Sequence, residues 1–305
     1  MAVSRPFKPM IFFKALVASL RVIGEKNVAL IAAGVAFYGM LSLFPALAAL
    51  IAVLGLISDP VVVVAQLEEM RGLLPDDVYE IINRQVTSLV TTSSGTLGWA
   101  GAVSLAVALW TARAGVSAMM IGLNTVYDEP NRKSAWHYLR SFLLTIALVL
   151  VGIVALLTVV VAPVVLAFFR LDDFTVMLID LLGWCIAIAV LFAGVGMLYR
   201  FGPNRQSARL PWVTSGAVLA VVSWALVSIG FSYYVANFGN YNQVYGSIGA
   251  VIAMLVWLWL SSFLVLLGAA LNAQIELRTL EDSTVSKDRP MGERGAHAAD
   301  NLITD

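Results

Sequence analysis

Cysteine occurs once in this chain, at Cys185, and histidine twice, at His137 and His297. A lone cysteine excludes an intrachain disulfide framework and a cysteine-built metal site, and it leaves the redox compartment unreadable. The two histidines lie far apart in sequence, and no carboxylate cluster at metal-ligand spacing accompanies them. There is no HExxH, no phosphate-cradling glycine loop and no nucleophile elbow, so neither a cofactor nor a metal is expected. Charge is also scarce. Of 305 residues 12% are Asp, Glu, Lys or Arg, while 60% are hydrophobic, at a mean hydropathy of +0.87. That leaves too little polar surface for a water-soluble globule of this length.

What the chain has instead is long apolar runs. They fall near 28–57, 97–121, 141–168, 174–199, 211–236 and 247–275. Each is longer than the roughly 20 residues a helix needs to cross about 30 Å of hydrocarbon. Lys and Arg alternate between the intervening segments. Fifteen lie in the N-terminal arm, the loops at 122–140 and 200–210, and the tail. Three, Arg71, Arg84 and Arg170, lie in the other loops, and Arg113 lies within a run. The positive-inside rule then puts both termini in the cytoplasm. The fold class is all-α: a polytopic membrane protein with six transmembrane helices. The formal net charge of zero hides this axial separation, since Asp59, Glu68, Glu69, Asp76, Asp77 and Glu80 crowd the first outer loop. Such a pattern sets membrane orientation and does not make a nucleic-acid surface. The first run is too long for a cleavable signal core and is expected to stay as an anchor, in a prokaryotic plasma membrane in preference to a mitochondrial one, because the basic arm is short of Ser and Arg for a transit peptide.

Three regions follow. Residues 1–27 form a cytoplasmic arm whose stretch 10–26 reads as an amphipathic helix in the membrane interface. Lys14, Arg21 and Glu25 share one face, and Phe12, Phe13, Leu16, Leu20 and Ile23 occupy the rest. A cytoplasmic extension of the first spanning helix fits the same residues. Residues 28–276 form the transmembrane domain, with a short outer helical subdomain at 58–96 made of two amphipathic pieces joined at Pro75. Residues 277–305 are charged and poor in apolar clusters, and are expected to be a disordered, dispensable tail.

Within the spans a few polar residues stand out. Gly34, Tyr38, Ser42, Pro45 and Ala49 form a stripe on the first, for close helix packing or a cavity wall. Pro45 is expected to kink or open that helix near Leu41 and Ser42. Arg113 is the one charge in the second span, with Ser117, Asn124 and Asp128 continuing its stripe. An intramembrane arginine faces protein or a wet cavity as a functional group, or it snorkels or locks neighbouring helices. Tyr245 lies in an uncharged Asn-, Tyr- and Gly-rich outer loop. The sixth span carries Ser261, Gly268, Asn272 and Glu276 on one face with Gln274 nearby. Arg113 is expected to point toward Tyr38, Ser42 or the Asn272–Glu276 end, with Glu276 as a partner acid. Trp257 and Trp259 read as lipid-facing bulk.

Several of these motifs together resemble the YihY/BrkB family of bacterial inner-membrane proteins. They are Ser42-Leu43-Phe44-Pro45 after Phe37-Tyr38, Asn124 and Tyr127 ahead of basic residues, and Tyr245-Gly246 with Gly249-Ala250. Trp257, Trp259 and the run Leu267-Gly268-Ala269-Ala270-Leu271-Asn272-Ala273 complete the likeness, which covers about residues 15–276. The resemblance implies a six-helix inner-membrane protein of poorly defined function, associated in some bacteria with serum resistance and virulence. It also brings a historical ribonuclease label. Many relatives carry Tyr-Tyr where this chain has Phe37-Tyr38, and an acid where it has Ala270, so a role for that acid does not transfer.

Ribonuclease activity is not expected, because no metal-binding or acid–base cluster is apparent and no soluble domain would admit RNA. The readings left are a transporter or channel-like protein for an unidentified small solute or lipid, and a non-transporting envelope integrity or assembly factor. A membrane-embedded enzyme ranks last. The expected partners are membrane lipids, a second copy of the chain or envelope proteins, and no nucleic acid. No inverted repeat is visible to strengthen the transporter reading.

Overall fold

The computed structural model describes residues 9–57, 94–131, 135–158, 172–205, 214–237, 247–278, 290 and 292–302. Among these residues there are eight helices and no strand: α1 (Pro9–Glu25), α2 (Val28–Ile57), α3 (Ser94–Tyr127), α4 (Ala135–Leu156), α5 (Asp173–Phe201), α6 (Ser215–Asn237), α7 (Ser247–Glu276) and α8 (His297–Asp300). Six of them, α2 to α7, are long and apolar enough to cross a membrane. Their lengths follow from uninterrupted Ala, Leu, Val and Ile, which place large side chains such as Leu178, Leu181, Leu182 and Trp184 on the exterior. In water that exterior would be prohibitive, whereas in hydrocarbon it is solvated. The outer subdomain expected at 58–96 lies outside the described residues except for 94–96, which open α3.

Local chemistry sets the helix ends. Lys26 and Asn27 break α1 from α2, Asn27 adopting a left-handed φ of 51°. α3 closes in a Schellman turn. Asp128 takes φ 59°, Glu129 N–H donates to the Asn124 carbonyl at 2.9 Å and Asp128 N–H to that of Thr125. Lys26 Nζ ties the two turns together, reaching Asp128 at 2.7 Å and the Thr125 carbonyl at 3.0 Å. Asp172 caps α5, accepting from the Thr175 hydroxyl at 2.6 Å and its N–H at 3.2 Å. Those two donors hold the exposed Asp172 carboxyl below its ordinary pKa. α2 runs unbroken from Val28 to Ile57 through Pro45, so the expected opening near Leu41 does not occur. Ser42 Oγ donates to the Gly39 carbonyl at 2.7 Å beside the proline.

The chain divides into two compact units: Tyr38–Arg113, and Met1–Phe37 with Ala114–Asp305. In the larger unit α6 packs along α7, α1 along α7, α4 along α5, and α5 along α6. Small residues allow the α6–α7 contact. A Cβ added at Gly216 would meet the Gly268 carbonyl, and one added at Gly268 would meet the Gly216 carbonyl and the Tyr199 hydroxyl. The core collects Val28, Met119, Leu123, Tyr127, Tyr199 and Leu266 with Ala217, Ala269, Ala270 and Ala273.

α1 turns Ala15, Ser19 and Ile23 inward and leaves Phe13 and Leu20 exposed. Trp257 and Trp259, read as lipid-facing bulk, stay partly exposed and also make specific contacts. Trp259 donates to the Ala29 carbonyl at 3.0 Å, and Trp257 meets the Trp224 ring edge-on at a centroid distance of 6.0 Å. The tail also departs from expectation, because residues 292–302 are folded. Ala296, Ala298 and Ala299 are buried, and α8 packs on α7. Asp300 organises this turn by accepting from the N–H groups of Gly292, Arg294 and Gly295 at 2.8–2.9 Å. These donors outweigh a burial penalty and keep its pKa low.

Candidate functional site

The polar residues of the larger unit concentrate where α3, α5 and α7 end and α4 and α6 begin. Glu276, in the last turn of α7, accepts from Arg205 Nη1 at 2.6 Å, and the two side chains are 8% and 2% exposed. The Arg205 guanidinium also lies over the Tyr127 ring, 4.7 Å from its centroid. Burial works against the Arg205 charge. The Glu276 carboxylate, with Tyr127 and Glu129, outweighs that burial and lifts the pKa above its usual value. Glu276 occupies only part of the fork, because Arg205 Nη2 is buried with no hydrogen-bond partner. Such a nitrogen costs about 1–3 kcal/mol when neutral and more when charged.

Asparagines organise the surroundings. Asn124, fully buried, accepts from the Asn204 N–H at 2.6 Å and donates to Asn131 Oδ1 at 2.8 Å. Asn204 donates in turn to the Pro130 carbonyl at 2.6 Å. The segment bearing Arg205 is thereby fixed to the end of α3. Asn272 works at the start of α6. Thr214 Oγ1 accepts from the Ala217 N–H at 3.0 Å, and Asn272 Oδ1 accepts from the Gly216 N–H at 2.8 Å. Asn272 Nδ2 donates to Thr214 Oγ1 at 2.8 Å. Two donors that every helix start leaves orphaned are therefore satisfied, one from within the segment and one from α7. Tyr199 donates to the Val265 carbonyl at 2.7 Å. Glu129 accepts from the His297 N–H at 2.7 Å, and burial raises its pKa despite that bond.

A cavity of about 330 Å³ adjoins this cluster. Arg140 of α4, Arg200 of α5 and Arg205 line it, with Leu143, Leu144, Ala147 and Met197 as its apolar wall and Phe201 and Pro203 completing it. Arg200 Nε is buried without a partner, as is Arg205 Nη2. Arg140 lies over the Trp136 ring at 5.9 Å and Arg200 over Phe201 at 5.5 Å.

The expected site residues are distributed as follows. Asn124, Asn272 and Glu276 belong to the cluster just described, and Glu276 is engaged by Arg205. Ser117 pairs with His137 Nε2 at 3.0 Å. Tyr38, Ser42, Pro45 and Arg113 fall in the smaller unit, where the half-buried Arg113 lies 4.8 Å over the Trp110 ring. Tyr245 lies outside the described residues. Among the described residues no group of three His, Cys, Asp or Glu is placed to hold a metal ion. Sequence reasoning missed Arg205 and Arg200 because they counted among fifteen basic residues that set orientation. Nothing in the spacing links Arg205 to an acid 71 positions away.

Comparison with known proteins gives one family. The model of the family described as Virulence factor BrkB matches residues 19–292. The ribonuclease-like protein YfkH of Bacillus subtilis (strain 168) is 34% identical over 254 residues, 81% of this chain and 89% of that protein. The UPF0761 membrane protein IL2447 of Idiomarina loihiensis is 29% identical over 57% of this chain and 60% of its own length. A UPF0761 membrane protein of Xanthomonas campestris pv. campestris (strain B100) is 38% identical over 93 residues, 30% of this chain and 22% of that protein. No solved structure matches.

Proposed function

The chain belongs to the BrkB family of membrane proteins, and from that premise we propose that it is a transporter or channel-like protein for a small solute or lipid. The Arg205–Glu276 pair is its gate, at the basic ends of the spans. In this reading it sits in a bacterial inner membrane with both termini in the cytoplasm.

One observation carries the reading. The arginine of a buried ion pair lines a cavity, and it has a nitrogen without an acceptor. A pair that served only to join α7 to the 202–205 segment would gain from complete satisfaction, or from replacement by apolar residues of similar volume. A shared guanidinium instead gives an anionic occupant of the cavity a partner for which it competes with Glu276. That competition couples occupancy to the contact between α7 and the end of α5, a two-state element of the kind transport needs. The ribonuclease-like name of the Bacillus relative is a statement about that protein, and nothing in the cluster arranges an acid–base pair around a substrate space.

The test is reconstitution of the purified protein into liposomes containing fluorescent phosphatidylglycerol or entrapped phosphate and potassium. Protein-dependent movement of at least one probe is expected, with a changed rate in Glu276→Gln. If folded protein moves none of them, transport is excluded and the non-transporting assembly factor replaces it. Orientation is tested separately in a Cys185→Ala background, where an impermeant thiol reagent outside cells should label cysteine at Ser94 and spare it at Asn301.

A further inference from the structure

We propose that the cavity lined by Arg140, Arg200 and Arg205 binds a phosphate group, presented either by an anionic phospholipid or by a soluble phosphate. Three guanidinium groups share one space of about 330 Å³, near the lower end of the roughly 300–1,000 Å³ typical of ligand sites, and among the described residues no Asp or Glu lines it. Glu276 answers one nitrogen of Arg205. Arg205 Nη2 and Arg200 Nε remain buried without acceptors. Buried cationic donors are normally satisfied, and two unsatisfied ones on the wall of a single cavity mark the place of an anion. A phosphate suits them chemically, since its oxygens accept several charge-assisted hydrogen bonds from forked N–H donors at once.

The cavity also has a direction. Arg140 stands in the second turn of α4 and Arg200 in the last turn of α5, so the start of one spanning helix and the end of the next bring both charges to one cavity. Leu143, Leu144 and Ala147 lie one to two turns further along α4, and Met197 nearly one turn back along α5. A basic rim followed by an apolar wall repeats the profile of a phospholipid, with its phosphate at the interface and its chains below. A soluble phosphate would use the rim alone. This inference stands on the cavity and does not require transport. Binding without flux would defeat the transporter reading alone, and flux without binding would defeat this one alone.

The experiment uses full-length protein in a phosphatidylcholine background, to which phosphatidylglycerol or inorganic phosphate is added. Bound lipid is read by native mass spectrometry and stability by thermal melting. Phosphatidylglycerol is expected to be retained and to raise Tm in the wild type. The double variant Arg140→Gln, Arg200→Gln should weaken its apparent affinity at least ten-fold. Ala147→Phe, which fills the cavity and leaves every charge in place, should do the same. Met197→Trp acts from the opposite wall if Ala147→Phe fails to fold. A Tm rise with inorganic phosphate alone, lost in the same variants, identifies soluble phosphate as the source. Binding that survives the cavity-filling variants and falls only with charge is surface attraction, and it overturns the proposal. Absence of any shift with both ligands overturns it equally.

Discussion

Glu276→Gln isolates the charge of one carboxylate in a site where solvent cannot replace it. The substitution keeps the shape and one acceptor oxygen, so Arg205 retains a hydrogen bond but loses its counter-charge. Breaking a buried pair by removing one partner costs about 3–5 kcal/mol, because the remaining charge stays desolvated. The exposures of 2% and 8% put this pair in that regime. The Tyr127 ring, 4.7 Å from the guanidinium, stays in contact before and after the change and so does not offset it, whereas the retained amide acceptor returns about 1–2 kcal/mol. The expected loss is therefore about 2–3 kcal/mol, close to a hundred-fold in the folded-to-unfolded ratio. Arg205→Met with Glu276→Leu should recover most of it, since an apolar pair of similar volume needs no counter-charge. The assay is reversible denaturant unfolding in mixed micelles, run on both single variants and the double to complete the cycle. A loss below about 0.5 kcal/mol for Glu276→Gln would mean the pair is hydrated, and the account of the site would fall.

Gly268→Ala should cost about 1–3 kcal/mol, because its Cβ meets the Gly216 carbonyl and the Tyr199 hydroxyl; a Tm equal to wild type would show that the α6–α7 approach is loose. Truncation after Arg289 removes buried Ala296, Ala298 and Ala299 together with the His297–Glu129 bond, and should lower Tm measurably, whereas a dispensable tail would leave it unchanged. Burial raises the Glu129 pKa in the folded state, so its ionised form opposes folding, and its contribution to stability declines as pH rises from the ordinary carboxylate range through the raised value. Glu129→Gln should remove that part of the slope and be neutral or stabilising at pH 7; an unchanged pH profile would refute the assignment.

The sequence by itself determined that the chain spans a membrane. Lipid demands one property of a helix, about 20 apolar residues with internally satisfied backbone, and that property is linear in the chain. All six long apolar runs correspond to helices, and the family resemblance read from Ser42–Pro45, Trp257, Trp259 and the Gly268–Asn272 run agrees with the family that matches residues 19–292. Hydropathy found the crossing segments but not the helix ends. α3 continues to Tyr127 and α4 starts at Ala135 because backbone hydrogen bonding does not stop at the hydrocarbon boundary. The tail reads as disordered because it is rich in charge and its few apolar residues are scattered, whereas Ala296, Ala298 and Ala299 are buried where α8 packs on α7.

The site was legible only in part. Asn124, Asn272 and Glu276 stand out as polar residues in or just beyond apolar runs, yet two of them turn out to hold backbone ends in place. Tertiary structure alone decided that Arg205 meets Glu276, and that Arg140 and Arg200 share a cavity with it. The physical reason is distance along the chain. A charge's partner is fixed by which helix ends pack together, and the tight contact at Gly216 and Gly268 that sets this packing acts between residues 52 positions apart in sequence.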